Sequence, residues 1–179
     1  FDPTLYLDKK EVRKFDRYAQ FAVAAAKEAV GDSALDLEKV DKNRVGVIFA
    51  AGIGGIRTFE EEVGGYFTNI ERGPKFNPFF IPKMIADIAA GHISMIYGFH
   101  GPNYATVSAC ASSTHSLIDA FNNIRLGKAD VIVTGGAEAA ISVPGIGGFN
   151  AMHAISTRNG DPQTPSRPFS ASRDGFAKG

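Results

Sequence analysis

The chain has 179 residues, 44% of them apolar, with 20 glycines, no tryptophan and one cysteine. Nineteen basic residues balance nineteen acidic ones, so overall charge gives no pull toward nucleic acid or an anionic membrane, and neither is expected as a partner. One cysteine excludes an internal disulfide, no run of about 18 apolar residues can span a bilayer, and no basic-plus-apolar leader opens the sequence, which together fit a reducing cytosol and a cytoplasmic location.

A chain of this length is expected to form one domain that buries roughly two thirds of its unfolded surface. Asp8 and Glu11 have capping-box spacing and Gly31 supplies a stop, which predicts one helix from Lys9 to Val30 whose buried face is Val12, Phe15, Ala19, Ala22 and Ala26. Val45 to Ala50, VGVIFA, reads as a buried strand feeding a GIGG loop at Gly52 to Gly55, with a helix carrying Glu60, Glu61 and Glu62 after it. Phe79 and Phe80 mark an aromatic turn, followed by a helix begun at Pro82 and stopped near Gly98. Tyr104 to Ser108 predicts a strand, Ser113 to Leu126 a helix and Asp130 to Thr134 a further buried strand. This β, α, β order implies an α/β fold whose parallel sheet is covered by helices, with ligands held outside the carboxyl ends of the strands. The tail from Ile155, rich in Pro, Ser, Arg and Gly, predicts loop.

Cys110 stands between the strand at Tyr104 and the helix at Ser113. Leu117, Ile118, Phe121 and Ile124 form an apolar stripe that predicts burial on that face. The thiolate is the nucleophilic form, and a free thiol with pKa near 8.5 is only about 3% ionised at pH 7. A helix N-terminus stabilises an anion by roughly 0.3 to 2 kcal/mol, and a strand-to-helix turn presents backbone N–H groups to a developing oxyanion. The position suits acyl transfer, although a small buried hydrophobe is the other reading of a lone cysteine. His115, five residues along the same helix, is expected to point away from Cys110 as a surface or packing residue, and His92, His100 and His153 offer no obvious base. GIGG lacks the last glycine of a dinucleotide fingerprint and has no acidic ribose partner.

The stretches VSACASS, GKADVIVTGGAEAAISVPGIGGFNAMHAIST and SRPFSASRDGFAKG resemble the β-ketoacyl-acyl carrier protein synthases, most closely their synthase II branch. The likeness continues through KKEVRKFD, GIGG, NPFFIPKMI and GPNYATVSAC, in the family's order and spacing. It implies a thiolase-like fold of αβαβα layers built from two similar halves, assembled as a homodimer and using no metal or organic cofactor. It makes Cys110 the catalytic acyl acceptor in a decarboxylative condensation that lengthens an acyl chain by two carbons. Ile53, Phe80 and Phe149 match acyl-pocket positions, and the strand at Tyr104 matches one that pairs with its copy across the dimer axis. Lys10, Arg13, Lys14 and Lys75 match positions that dock the acidic acyl carrier protein, while Pro74 and His153 depart from basic residues there. Basic side chains in the first turns of a helix oppose its dipole, which favours an acidic partner for them. The family's two histidines, its lysine and a second oxyanion donor belong to the C-terminal half, so residues 1–179 are expected to be a partial N-terminal half lacking the first strand. The alternatives are a polyketide ketosynthase and a non-catalytic carrier-protein-binding module.

Overall fold

Val45–Ala50 forms the central strand, β1, buried along its whole length. In this computed structural model, which describes residues 1–178, β2 (Asn103–Tyr104) and β3 (Val131–Gly136) flank it in the order β2-β1-β3, both parallel to it. The register pairs Val47 with Asn103, and Val45 through Ala50 with Val131 through Gly136. The Arg44 guanidinium grips the Asp130 carboxylate at 2.7 and 3.2 Å, aligning the starts of β1 and β3. The helices are α1 (Lys9–Val12), α2 (Arg17–Asp32), α3 (Ile56–Thr68), α4 (Phe80–Met84), α5 (Ile88–Tyr97), α6 (Ser112–Arg125) and α7 (Val143–Ala151). They fall into two units, Phe1–Ala139 and Ala140–Gly179.

In the first unit, alternate residues of β1 face opposite layers, as the pleat requires. Val45, Val47 and Phe49 join Ala19, Ala22, Val23 and Ala26 of α2 and Ala89, Ala90 and Ile93 of α5 in the core. Ala50 faces the other way, where Gly136 lies against Ser113 at the start of α6. The sheet is thus covered on both sides, and an apolar run with no polar alternation is what such a strand needs. The result is a mixed helix and parallel-sheet arrangement.

The helix expected from Lys9 to Val30 is two helices. Asp8 caps α1 by accepting from the amides of Lys10 and Glu11 at 2.7 and 2.8 Å, and those bonds hold its carboxyl below the usual range. Asp16 then opens α2, accepting from the Tyr18 amide at 3.1 Å. The same buried carboxylate accepts from the amide and hydroxyl of Thr58 at 3.1 and 2.5 Å, so one side chain caps α2 and satisfies the first turn of α3. Phe15, turned inward at the break, stacks on His92 at 3.7 Å between ring centroids, and burial lowers the His92 pKa to about 4, leaving the ring neutral. Gly31 lies within α2 and stops nothing; Ser33 is the C-cap.

The helix expected from Pro82 to Gly98 also divides, because Ile85 is extended and its carbonyl accepts from the Tyr18 hydroxyl at 2.5 Å. Pro82 sits inside α4, and Gly98 ends α5 in the left-handed conformation as predicted. The strand expected from Tyr104 to Ser108 keeps only Asn103–Tyr104. Beyond it the chain bends toward α6: the Thr106 hydroxyl donates to the Ser112 carbonyl and the Ser108 amide to the Ser112 hydroxyl. In the second unit, α7 was not foreseen, since its glycines carry no periodic stripe; Ser142 caps it through the Gly145 amide. The remaining tail is irregular except for a bridge between Ile155 and Phe176.

The expected burial of the α6 apolar stripe is overturned. Leu117, Ile118, Phe121 and Ile124 are 54%, 49%, 59% and 42% exposed, whereas Ser112, Ser116 and Ala120 are buried. Small residues at four-residue spacing bring the helix close to β3, where the Ser116 hydroxyl donates to the Gly135 carbonyl at 2.8 Å. A Cβ on Gly136 would collide with Ser113. The bulky stripe therefore points away from the sheet.

Two outcomes follow. Asp16→Ala should cost about 3 kcal/mol in chemical denaturation and Asp16→Asn about half of that, with strong coupling to Thr58→Val in a double-mutant cycle. The 179-residue chain expressed alone should self-associate, and Leu117→Ser with Phe121→Ser should raise its monomer fraction in analytical ultracentrifugation; a monomeric, cooperatively melting parent chain would contradict this.

Candidate functional site

Cys110 lies in a single 3-10 turn, Ala109–Ala111, that runs directly into α6. Its side chain is exposed and free of disulfide. The turn is strained: Ala109 has φ +50, which costs an L-residue with a Cβ about 1 to 2 kcal/mol. Side chains from the helix hold it. The Ser112 hydroxyl donates to the Ala109 carbonyl at 2.7 Å while accepting from the Ser108 amide at 2.8 Å. Ser108 Oγ lies 2.6 Å from His115 Nδ1. His115 is exposed, as expected, but it reaches back to the residue that leads into the Cys110 turn.

Three strand ends converge here. Past β1, Gly52 approaches so closely that a Cβ on it would lie 2.9 Å from Glu138 Oε2 and 3.7 Å from the Ala109 carbonyl oxygen. Past β3, the Glu138 carboxylate accepts from the Ile53 amide at 2.7 Å and fixes that loop. Past β2 stands the Cys110 turn itself. The arrangement occupies the carboxyl end of a parallel sheet, where α/β proteins hold ligands. Glu138 was missed in the sequence, where an acid following an apolar strand and two glycines was the available signal; that strand, expected to be buried, is half-buried.

Ile53, 48% exposed, is therefore next to a contact with the Cys110 turn. The Gly55 amide donates to the Met84 carbonyl at 3.0 Å, which ties the same loop to α4. Phe80 opens α4, half-buried, stacked on Phe76 at 5.4 Å and tilted against Phe59 at 6.3 Å. Phe149 lies on α7 in the second unit, edge-on to Phe176 at 5.2 Å, with the Lys178 ammonium 4.3 Å from its ring centroid.

Lys10, Arg13, Lys14 and Lys75 are all exposed. Because α1 ends at Val12, Arg13 is its C-cap and Lys14 lies beyond it, so the dipole argument made for one long helix does not apply to them. Lys14 Nζ instead sits 5.7 Å from the Phe79 ring centroid, and Lys75 lies in the loop between α3 and α4. Among the described residues, no cluster of His, Cys, Asp or Glu could hold a metal ion, and no helix is long and apolar enough to cross a membrane.

The chain is 45% identical over 175 residues to a Staphylococcus aureus 3-oxoacyl-[acyl-carrier-protein] synthase 2, covering 97% of this chain and 42% of the relative. It is 42% identical over 180 residues to the protein of the same name from Vibrio harveyi, covering 43% of that relative. The chain thus spans about two fifths of the length of these curated relatives. Among solved structures, a β-ketoacyl synthase from Burkholderia phymatum superposes with TM-score 0.84 and 28% identity, over 98% of this chain and 42% of that one. A type II polyketide ketosynthase complex with its acyl-carrier protein shares the fold, with TM-score 0.79 at 24% identity over 87% of this chain and 44% of that one. The family model of the β-ketoacyl synthase N-terminal domain matches residues 1–179, and with an exposed thiol on a strained turn at the carboxyl end of a parallel sheet, the chain belongs to the β-ketoacyl synthases.

Proposed function

We propose that this chain supplies the acyl-accepting half of a 3-oxoacyl-acyl carrier protein synthase. The observation that carries the reading is the exposed Cys110 thiol on a turn held in one unusual conformation, with the Gly52 loop nearby. The thiolate attacks the thioester carbonyl of an acyl-carrier protein; a new S–C bond forms, and the carrier's thiol leaves with the proton that Cys110 gave up. Loss of carbon dioxide from malonyl-carrier protein then yields a carbanion that attacks the Cys110 thioester. The product carries two more carbons, and Cys110 leaves as thiolate. The decarboxylation groups belong to the remaining part of the enzyme, and no cofactor is required.

In the same reading, Ile53 and Phe80 contribute to the acyl pocket, and Phe149, on the second unit, is a separate candidate for contact with the acyl chain. Lys10, Arg13, Lys14 and Lys75 receive the acidic carrier protein, and the strand at Tyr104 faces its copy in a cytoplasmic homodimer. Identity of 42 to 45% with proteins named 3-oxoacyl-[acyl-carrier-protein] synthase 2 favours this reading over a polyketide role.

Incubating the full-length protein that carries this chain with medium-chain acyl-carrier protein should add one acyl mass in intact mass spectrometry. The adduct should be absent in Cys110→Ala, and failure of the parent protein to acylate would favour a binding module without turnover. Separately, Lys10→Glu with Lys14→Glu should raise the carrier-protein Kd about ten-fold or more at low salt in calorimetry, with the difference shrinking as ionic strength rises.

A further inference from the structure

We infer that Ser108 and His115 are positioning residues that set the pitch of the nucleophile turn, a role that rests on the acyl-transfer reading above. Ser108 is restrained at three points. Its amide donates to the Ser112 hydroxyl at 2.8 Å, its carbonyl accepts from the Ala111 amide at 3.1 Å, and its hydroxyl meets His115 Nδ1 at 2.6 Å. The next residue is Ala109 at φ +50, and Cys110 follows. The peptide between Ser108 and Ala109 thus aims the strained residue, and its orientation is fixed from outside the turn.

The Ser112 contacts hold the turn to the first residue of α6, and the His115 contact holds it to the helix's next turn. With both, the turn is fixed in tilt as well as in place; without the imidazole, rotation about Ser108 is opposed only through its backbone amide and carbonyl. Reaction at an acyl carbonyl needs the sulfur and the oxyanion-binding amides in one geometry, so loss of this bond should slow acylation while leaving the thiol itself accessible and nucleophilic. Asparagine places a polar atom near the Nδ1 position of histidine and can restore the contact.

The test uses the full-length protein with two acyl donors, an acyl-carrier protein and p-nitrophenyl octanoate, and iodoacetamide as a reagent that requires only a reachable thiol. Ser108→Ala and His115→Ala should lower the Cys110 acylation rate about ten-fold with either donor. Iodoacetamide alkylation, carrier-protein Kd and Tm should change little, and His115→Asn should recover most of the loss. Acylation by the ester alone would overturn the carrier-protein reading and still report on positioning. Wild-type acylation rates in both alanine variants would overturn the proposal, as would a fall in alkylation matching the fall in acylation, or a wild-type protein that neither donor acylates.

Discussion

Helix α6 lies close against β3 along a face of small residues, and this close approach shapes the first unit around it. Ser112, Ser116 and Ala120 leave no bulk between helix and sheet, and Ser116 converts the approach into a hydrogen bond with the Gly135 carbonyl. With the helix seated so low, its first residue comes level with the ends of the strands. The connection from β2 bends onto that residue and folds into the turn that carries Cys110. A bulky residue at any of the three positions would lift the helix and remove the reason for the turn.

The second constraint is the carboxylate of Asp16, which serves two helices at once. It sets the break between α1 and α2, and with it where the basic side chains of Arg13 and Lys14 emerge. It also secures the first turn of α3, whose incoming loop passes near Ala109. The surface assigned to partner binding and the loop beside the thiol therefore share one anchoring group, and neither can shift freely while that carboxylate is engaged.

Much of the fold was legible in local pattern. VGVIFA could be read as a two-sided buried strand because it lacks alternation, and Gly98 as a stop because a left-handed residue was needed there. What escaped the sequence depends on contacts between distant residues. The split at Asp16 requires Thr58, and the split at Ile85 requires the Tyr18 hydroxyl. The α6 stripe was misread because hydrophobic periodicity identifies an apolar face without saying what covers it, and here hydroxyl-bearing residues hold the sheet side. The thiol could be singled out from its place between two elements, whereas Glu138 and the back-reach of His115 are relations of space that spacing in the chain does not express.

The order β2-β1-β3 also dictates a sequence of events in synthesis. The middle strand is made first, and both of its neighbours, at Asn103 and Val131, lie far downstream. Parallel pairing across such separations requires large loops to close before any ladder bond forms, which slows folding. Until the ribosome has passed Gly136, VGVIFA has no complete ladder to join and stays available to other chains. A strand buried along its whole length in the finished protein is thus synthesised well before both of these partners, where a holding chaperone would act.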